Sequence, residues 1–431
     1  MPTLTELSAL LYTPETNPGR PHPLARLYGQ DIQPQLARYR ELLERFARLF
    51  PDRSDLAFYS APGRTEVGGN HTDHNNGRVL AAAVDLDIVA LAAPNADGVI
   101  RLHSEGYEPA VVSLADLSIQ PAETATSAAL VRGVCARLVE LGFLAGGFDA
   151  VLSSRVPKGS GLSSSAAYEV MVATILNHLY NGGQVDPALL ARIGQYAENV
   201  YFGKPCGLMD QTTSALGGLV TIDFKDPGSA LVRKVDSDFS LSGTALVIVE
   251  PWGDHANLTE DYAAITREMR AVAQVFGGKV LRDCTLEQVL ENIPALRARV
   301  NDRAILRAVH FFRDDQRVVD EVAALEAGDF KRFLELVNES GRSSWMLLQN
   351  CYSERRVEQQ GIAVALTVSE AILQGRGAWR VHGGGFAGTI QAFVPNDLLS
   401  AYIAKLEQVC GPGSCHQVMV RPVGACRVDL G

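Results

Sequence analysis

The stretch from Phe148 to Tyr180 constrains the fold of this chain more than any other, because its hydrophobic period changes partway along. Phe148, Ala150 and Leu152 alternate as on one face of a strand, Pro157 stops the run, and Tyr168–Tyr180 reads as a helix. Between them lies KGSGLSSSAA. A strand that passes into a helix through glycine and serine leaves the first helical N–H groups without partners, and the helix dipole adds partial positive charge at the same point. Small side chains let an anion come close to both. The segment Pro157-x-x-x-Gly161-Leu162-Ser163-Ser164-Ser165-Ala166-Ala167 therefore suits a phosphate; a serine-rich helix cap with no ligand is the other reading. It is not a Walker loop, because no Gly-Lys-[Ser/Thr] occurs. Ser164 takes the place of the third glycine of a dinucleotide fingerprint, and the only nearby acid, Glu169, is too close to reach a ribose.

A local cradle matters because the chain as a whole repels anions. Lys+Arg 39 against Asp+Glu 49 leaves a net charge of -10, which argues against nucleic acid or an anionic membrane as the main partner. At 47% hydrophobic and 20% charged, the composition is that of a globular protein, and 431 residues suffice for two or three domains. The 7 cysteines show no C-x-x-C and no disulfide framework, so a reducing, cytoplasmic compartment is expected. Residues 1–18 carry no secretion signal. The most apolar stretch, 79–93, is too short to span a bilayer and holds Asp85 and Asp87, so it reads as buried strand.

Residues 34–50 place Leu36, Tyr39, Leu43, Phe46 and Phe50 at steps of three and four, an amphipathic helix. Asn76-Gly77 predicts a tight hairpin turn between two extended runs. Asp186-Pro187 opens a helix running to about Phe202. Further helices are expected near 260–277, 301–312, 316–327 and 355–374, followed by a glycine-rich turn between strands in WRVHGGGFAGTIQAFVP. The pattern breaks at about 225–242, which sets expected boundaries at 1–30 for an N-terminal extension, 31–235 for a first domain and 236–431 for a second. Strands and helices interleave in both halves, an α+β protein of two packed domains.

Two further clusters carry chemistry. Gly63-Arg64-Thr65-Glu66-Val67-Gly68-Gly69-Asn70-His71-Thr72-Asp73 packs carboxylates, an amide, an imidazole and a guanidinium into eleven residues, a mixture suited to a polyhydroxylated ligand. Reading His71 and His74 as a metal pair lacks a third ligand. Gly383-Gly384-Gly385-Phe386-Ala387-Gly388 satisfies G-x-G-x-x-G, but TIQAFV after it predicts a strand where a dinucleotide site needs a helix. A loop that approaches a phosphate or the serine loop, or a plain glycine hairpin, fits better.

Taken in order, GRTEVGGNHTDH, PKGSGLSSSAA, CGLMDQ (206–211) and GGGFAG resemble the motifs of the GHMP small-molecule kinases, and within them the galactokinase group; the resemblance covers about 60–420. It implies a two-domain α+β fold with the active site between the domains, and ATP-dependent phosphorylation of galactose at its anomeric hydroxyl, with Mg²⁺. By position it implies Asp210 as catalytic carboxylate and Arg64 as its cationic partner. Sugar contacts fall at Asn70, His71, Asp73, Gly207 and Tyr262. ATP contacts fall at Pro157, Gly159, Gly161, Leu162, Ser163, Ser164, Ser165 and Ala166, with Mg²⁺ at Ser165 and Glu198, and Gly383, Gly384, Gly385 and Gly388 as a supporting loop.

A carboxylate beside a guanidinium is reliably ionised but a weaker proton acceptor, so outright removal of the sugar proton and simple orientation of the hydroxyl both stay open. The departures from the family pattern cluster at the sugar end. Asn70 stands where the family has Glu, Glu66 where it has Asn, Gly68 for Ile, His74 for Tyr and Ala387 for Gly. A family aromatic beside adenine falls at Ser127. Another hexose or amino sugar is the near alternative as substrate. A non-catalytic sugar sensor is the alternative class, disfavoured by the intact Ser164-Ser165-Ala166-Ala167, Asp210 and Glu198.

Overall fold

The computed structural model describes residues 2–12, 22–30, 32–157, 161–251, 253 and 258–430. Its largest sheet is built on β1 (Ala57–Gly68) and β2 (Arg78–Pro94), a long antiparallel pair. With β3 (Val99–Ser104), β4 (Ala110–Ser113), β5 (Phe148–Ser154), β6 (Leu219–Asp223), β7 (Leu231–Val235) and, from the end of the chain, β12 (Cys426–Val428), the order is β12-β1-β2-β5-β3-β4, while β6 pairs with the near end of β2 and with β7. A second sheet has β8 (Thr244–Val249), β9 (Ala378–His382), β10 (Thr389–Pro395) and β11 (Cys415–Val418) in the order β11-β8-β10-β9. The chain then returns, and β12 (Cys426–Val428) closes the first sheet beside β1.

β2 reads as one apolar run because helices cover both its faces. Val89, Leu91 and Ala93 pack with the helix Gln33–Leu49, whereas Ile88, Ala90 and Ala92 pack toward the helices Ser127–Glu140 and Ser164–Tyr180. The second sheet is covered likewise. Val247, Val249 and Ile390 meet Gly361–Leu373 and Leu399–Cys410, while Leu246, Ile248 and Phe393 join the core of the first sheet through Asp302–Glu326 and Phe330–Ser343. A core shared by the two sheets holds the facing loops in register.

Four expectations change in detail. The helix expected from Tyr168 begins at Ser164, so the serines form its first turn. Asn76, at φ 61°, does reverse the chain before β2, but the connection from β1 spans residues 69–77 and includes a short turn at Asp73–Asn75. The two helices expected at 301–312 and 316–327 are one, Asp302–Glu326. Its apolar period lapses where Asp314 and Asp315 turn inward to accept from the Asn70 and Arg78 backbone N–H groups at 2.8 and 2.6 Å. The helix expected at 355–374 starts only at Gly361.

Asp87 interrupts the apolar run of β2 and is fully buried. Arg38 binds it at 2.6 Å, Arg421 at 3.1 Å and the Tyr28 hydroxyl at 2.6 Å, with Ser60 donating as well. It thus ties the N-terminal segment, the helix Gln33–Leu49 and the C-terminal return to one point. Asp87→Ala would strand two buried guanidinium groups, and is expected to cost about 3–5 kcal/mol of stability. Urea denaturation checks this: a loss below about 1 kcal/mol would show that the cluster is not held by its carboxylate.

Candidate active site

Strand β1 delivers Arg64 and the first turn of the helix Met209–Leu216 delivers Asp210, and the two meet as a bidentate pair, Nε to Oδ1 at 2.7 Å and Nη2 to Oδ2 at 2.6 Å. Such fork-to-fork geometry fixes the carboxylate plane as well as its distance. The remaining guanidinium nitrogen donates to the Gly161 carbonyl, the Arg64 N–H donates to the Leu162 carbonyl at 3.0 Å, and the Ser163 hydroxyl donates to Asp210. Gly161 and Ser163 reach these contacts through left-handed conformations, φ 73° and 57°. The Asp210 side chain keeps 28% of its surface exposed against 10% for Arg64, so the carboxylate faces the opening.

Behind this pair sits a second polar cluster. Ser165 donates to Glu198 at 3.2 Å, Lys204 lies 3.2 Å from the same oxygen, and the Gln211 amide donates to Glu198 and Glu169 at 3.0 and 2.9 Å. Burial, and then the charge of Glu198, push the Glu169 carboxyl well above the usual carboxylate range, and its Oε1 has no hydrogen-bond partner among the described residues. The expected Ser165–Glu198 neighbourhood is thus present. Lys204, Gln211 and Glu169 were not singled out for it: Gln211 was in view within CGLMDQ, whereas Lys204 carries no pattern at all. Of the other serine-loop residues, Ser164 opens the helix, the Leu162 and Ala166 side chains are buried in the core, Pro157 precedes the loop, and Gly159 lies outside the described residues.

A cavity of about 200 Å³ is lined by Asp73, Gln195, Cys206 and Gly207, among others. A Cβ on Gly207 would come within 3.1 Å of the Asp73 Oδ2, so the glycine keeps that oxygen accessible. His71, in a left-handed conformation at φ 60°, donates from Nε2 to the Gly384 carbonyl at 3.0 Å. Burial, and then neighbouring His74, hold its imidazole well below the usual histidine range. The Tyr262 hydroxyl donates to the Gly385 carbonyl at 2.9 Å, and its ring meets Phe386 edge-on at 5.1 Å. Burial pushes the phenol up to about 12.

The glycine loop is therefore held by its carbonyls against the sugar-side turn, while flanking His382 and Thr389 back the serine loop: a Cβ on Gly161 would meet the His382 ring at 3.1 Å. Gly388 closes the turn by donating its N–H to Gly385 at 2.9 Å. Asn70 departs from expectation. Its amide is fully buried and fully bonded, donating to Glu66 and Gly383 at 3.0 and 2.7 Å and accepting from Asn350 and Ser344 at 2.9 and 3.2 Å. It has no capacity left for a sugar hydroxyl, so the expected direct contact is replaced by an internal one.

A family model of the GHMP kinases N terminal domain matches residues 129–218, and one of the galactokinase galactose-binding signature matches residues 44–94. Among solved structures, the galactokinase of Lactococcus lactis complexed with galactose superposes with a TM-score of 0.75 at 23% identity, covering 89% of this chain and 98% of that one. The mevalonate kinase of Methanococcus jannaschii gives 0.60 at 16% identity, over 88% and 99%, and the phosphomevalonate kinase of Streptococcus pneumoniae 0.56 at 15%, over 86% and 99%. At these identities the likeness is one of fold. The chain thus carries the GHMP kinases N terminal domain. Ahead of it lies the galactose-binding signature of the galactokinases.

Glu66, beside this site, has its carboxyl pushed up to about 7 by burial, against the pull of Arg380. Between about pH 4.5 and 7 the folded protein holds a proton there that the unfolded chain releases, so stability falls as pH rises through that window. Glu66→Gln is expected to flatten this part of the profile, by up to roughly 3 kcal/mol across it. Urea denaturation from pH 4.5 to 7.5 tests it; parallel profiles for the two proteins would mean that Glu66 titrates normally.

Proposed function

We propose that the protein transfers the γ-phosphoryl group of ATP to the anomeric hydroxyl of galactose, giving galactose 1-phosphate and ADP. The observation that carries this reading is the Arg64–Asp210 pair, bonded to the serine loop at Gly161 and Ser163, with Asp210 opening the helix that follows Gly207 and Leu208 of the cavity lining. A hydroxyl nucleophile and a terminal phosphoryl group brought from those two sides would meet at this pair. That the Lactococcus lactis relative holds galactose supports the choice of sugar.

Phosphoryl transfer needs in-line positioning and neutralised charge more than covalent help. Asp73 offers the sugar a carboxylate that accepts from adjacent hydroxyls, and the neutral His71 ring supports it. Asp210 accepts from the reacting hydroxyl, aligns its oxygen on the γ-phosphorus and takes its proton as the new O–P bond forms and the bond to the ADP oxygen breaks. Arg64 fixes the plane of the Asp210 carboxylate and offers positive charge beside the reacting oxygens. The N-terminal turn at Ser164 presents free N–H groups to phosphate oxygens. Ser165 and Glu198 supply a hydroxyl and a carboxylate, hard oxygen donors that suit Mg²⁺ held otherwise by phosphates and water. Bound there, the ion would neutralise phosphate charge. With all seven cysteines free, a reducing cytoplasm suits the chain; among the described residues no helix is long and apolar enough to cross a membrane.

Measuring ADP release over a panel of sugars tests the proposal directly: galactose is expected to be turned over and glucose rejected. A protein that ignores galactose and accepts a sugar lacking the axial 4-hydroxyl would overturn it. Asp210→Asn should lower kcat by about 10²–10⁴ and leave galactose affinity within a few-fold. Near-normal turnover in that variant would remove Asp210 from the chemistry. Glu198→Gln should raise the Mg²⁺ concentration needed for half-maximal rate, because a neutral amide is the poorer ligand. An unchanged Mg²⁺ dependence would return Glu198 to a structural role.

A further inference from the structure

Two departures from the family pattern, Glu66 for Asn and Asn70 for Glu, are an exchange of the same two side-chain types between two positions. In the fold those positions touch: the Asn70 amide donates to the Glu66 carboxylate at 3.0 Å. The exchange therefore keeps one carboxylate–amide bond and reverses which element carries the charge. With the carboxylate on β1, it pairs with Arg380 of β9 at 2.8 Å, and Arg380 also donates to the Val67 carbonyl at 2.6 Å. With the amide on the turn, a donor becomes available to the Gly383 carbonyl at 2.7 Å, which a carboxylate at 70 would repel. Both side chains are at least nine-tenths buried, and Arg380 is fully buried.

The geometry points to Glu66, Asn70 and Arg380 as one polar bolt that sets the sugar-side turn against the glycine loop, and so positions His71 and Asp73 without touching the sugar. Asn70 precedes His71 directly, and the two bond successive carbonyls of the loop, Gly383 and Gly384. Loss of the bolt frees the left-handed His71 to turn, and with it the start of the Asp73 turn. These are positioning residues, and the effect on galactose rests on the sugar placement proposed above.

Exchanging the pair tests the inference. Glu66→Asn alone takes from the buried Arg380 its bonded carboxyl partner, and Asn70→Glu alone buries two acids side by side. Each is expected to lower kcat/KM for galactose about 100-fold, chiefly through KM for galactose, with KM for ATP held within about 3-fold. The double variant, Glu66→Asn with Asn70→Glu, restores one amide and one carboxylate, and should recover at least about ten-fold over either single one. A double variant no better than the product of the two losses, or losses shared equally with KM for ATP, would overturn it.

Asn70→Ser keeps room at the site but loses the donor to Gly383, and reads the same contact if an exchange variant fails to fold. In the free protein, amide exchange at Phe386 and Gly388 should then rise at least about ten-fold, with the helix Ser164–Tyr180 unchanged. A uniform rise, or none, contradicts the bolt. This readout uses no sugar, so a wild-type protein inactive on galactose would defeat the proposed function and still leave the bolt decided.

Discussion

One guanidinium group carries much of this architecture. Arg64 reaches from β1 to the Asp210 carboxylate and to the Gly161 carbonyl, so a strand, a helix and a loop share one planar fork. A lysine could supply the charge but not the fixed directions. The helix Met209–Leu216 and the serine loop approach β1 from different parts of the chain, and Arg64 ties both to it. The half-exposed Asp210 can then face the cleft with its plane already set, which lowers the reorganisation a reaction would require.

The site also reconciles an acidic protein with an anionic substrate. At a net charge of -10 the surface offers phosphate no general attraction. Positive charge is instead supplied locally, by the serine-loop helix terminus, Arg64 and Lys204. The acids nearby are managed individually: Glu198 is bonded by Ser165, Lys204 and Gln211, and burial drives the Glu169 carboxyl toward its neutral form. Local donors, not net charge, would decide what binds.

Legibility in the sequence followed the range of the interaction. The serine loop, the helix Gln33–Leu49, the helix from Asp186-Pro187 and the buried strand at 78–94 rest on local periodicity, caps and turn residues, and they stand close to where the pattern placed them. The apolar period of Asp302–Glu326 lapses at Asp314 and Asp315, which are inward-facing acids bonded across the fold. The motif places Asn70 at a sugar contact, and nothing local opposes that. A polar residue in a polar cluster looks available until its partners, Gly383 and Asn350, arrive from more than 270 residues away.

The sequence by itself determined the element types, the phosphate-suited loop and the roster of polar residues that any chemistry here must draw on, because caps, glycines and hydrophobic period act within a few residues of one another. Its ordered motifs also carried the family. Only the tertiary structure decided which polar groups remain free for a ligand and which are consumed internally. Asp73 keeps an oxygen facing the cavity, while Asn70 spends all four of its side-chain hydrogen bonds on the protein. The physical reason is that satisfaction of a buried polar group is a property of its whole surroundings, assembled from segments that no local pattern connects.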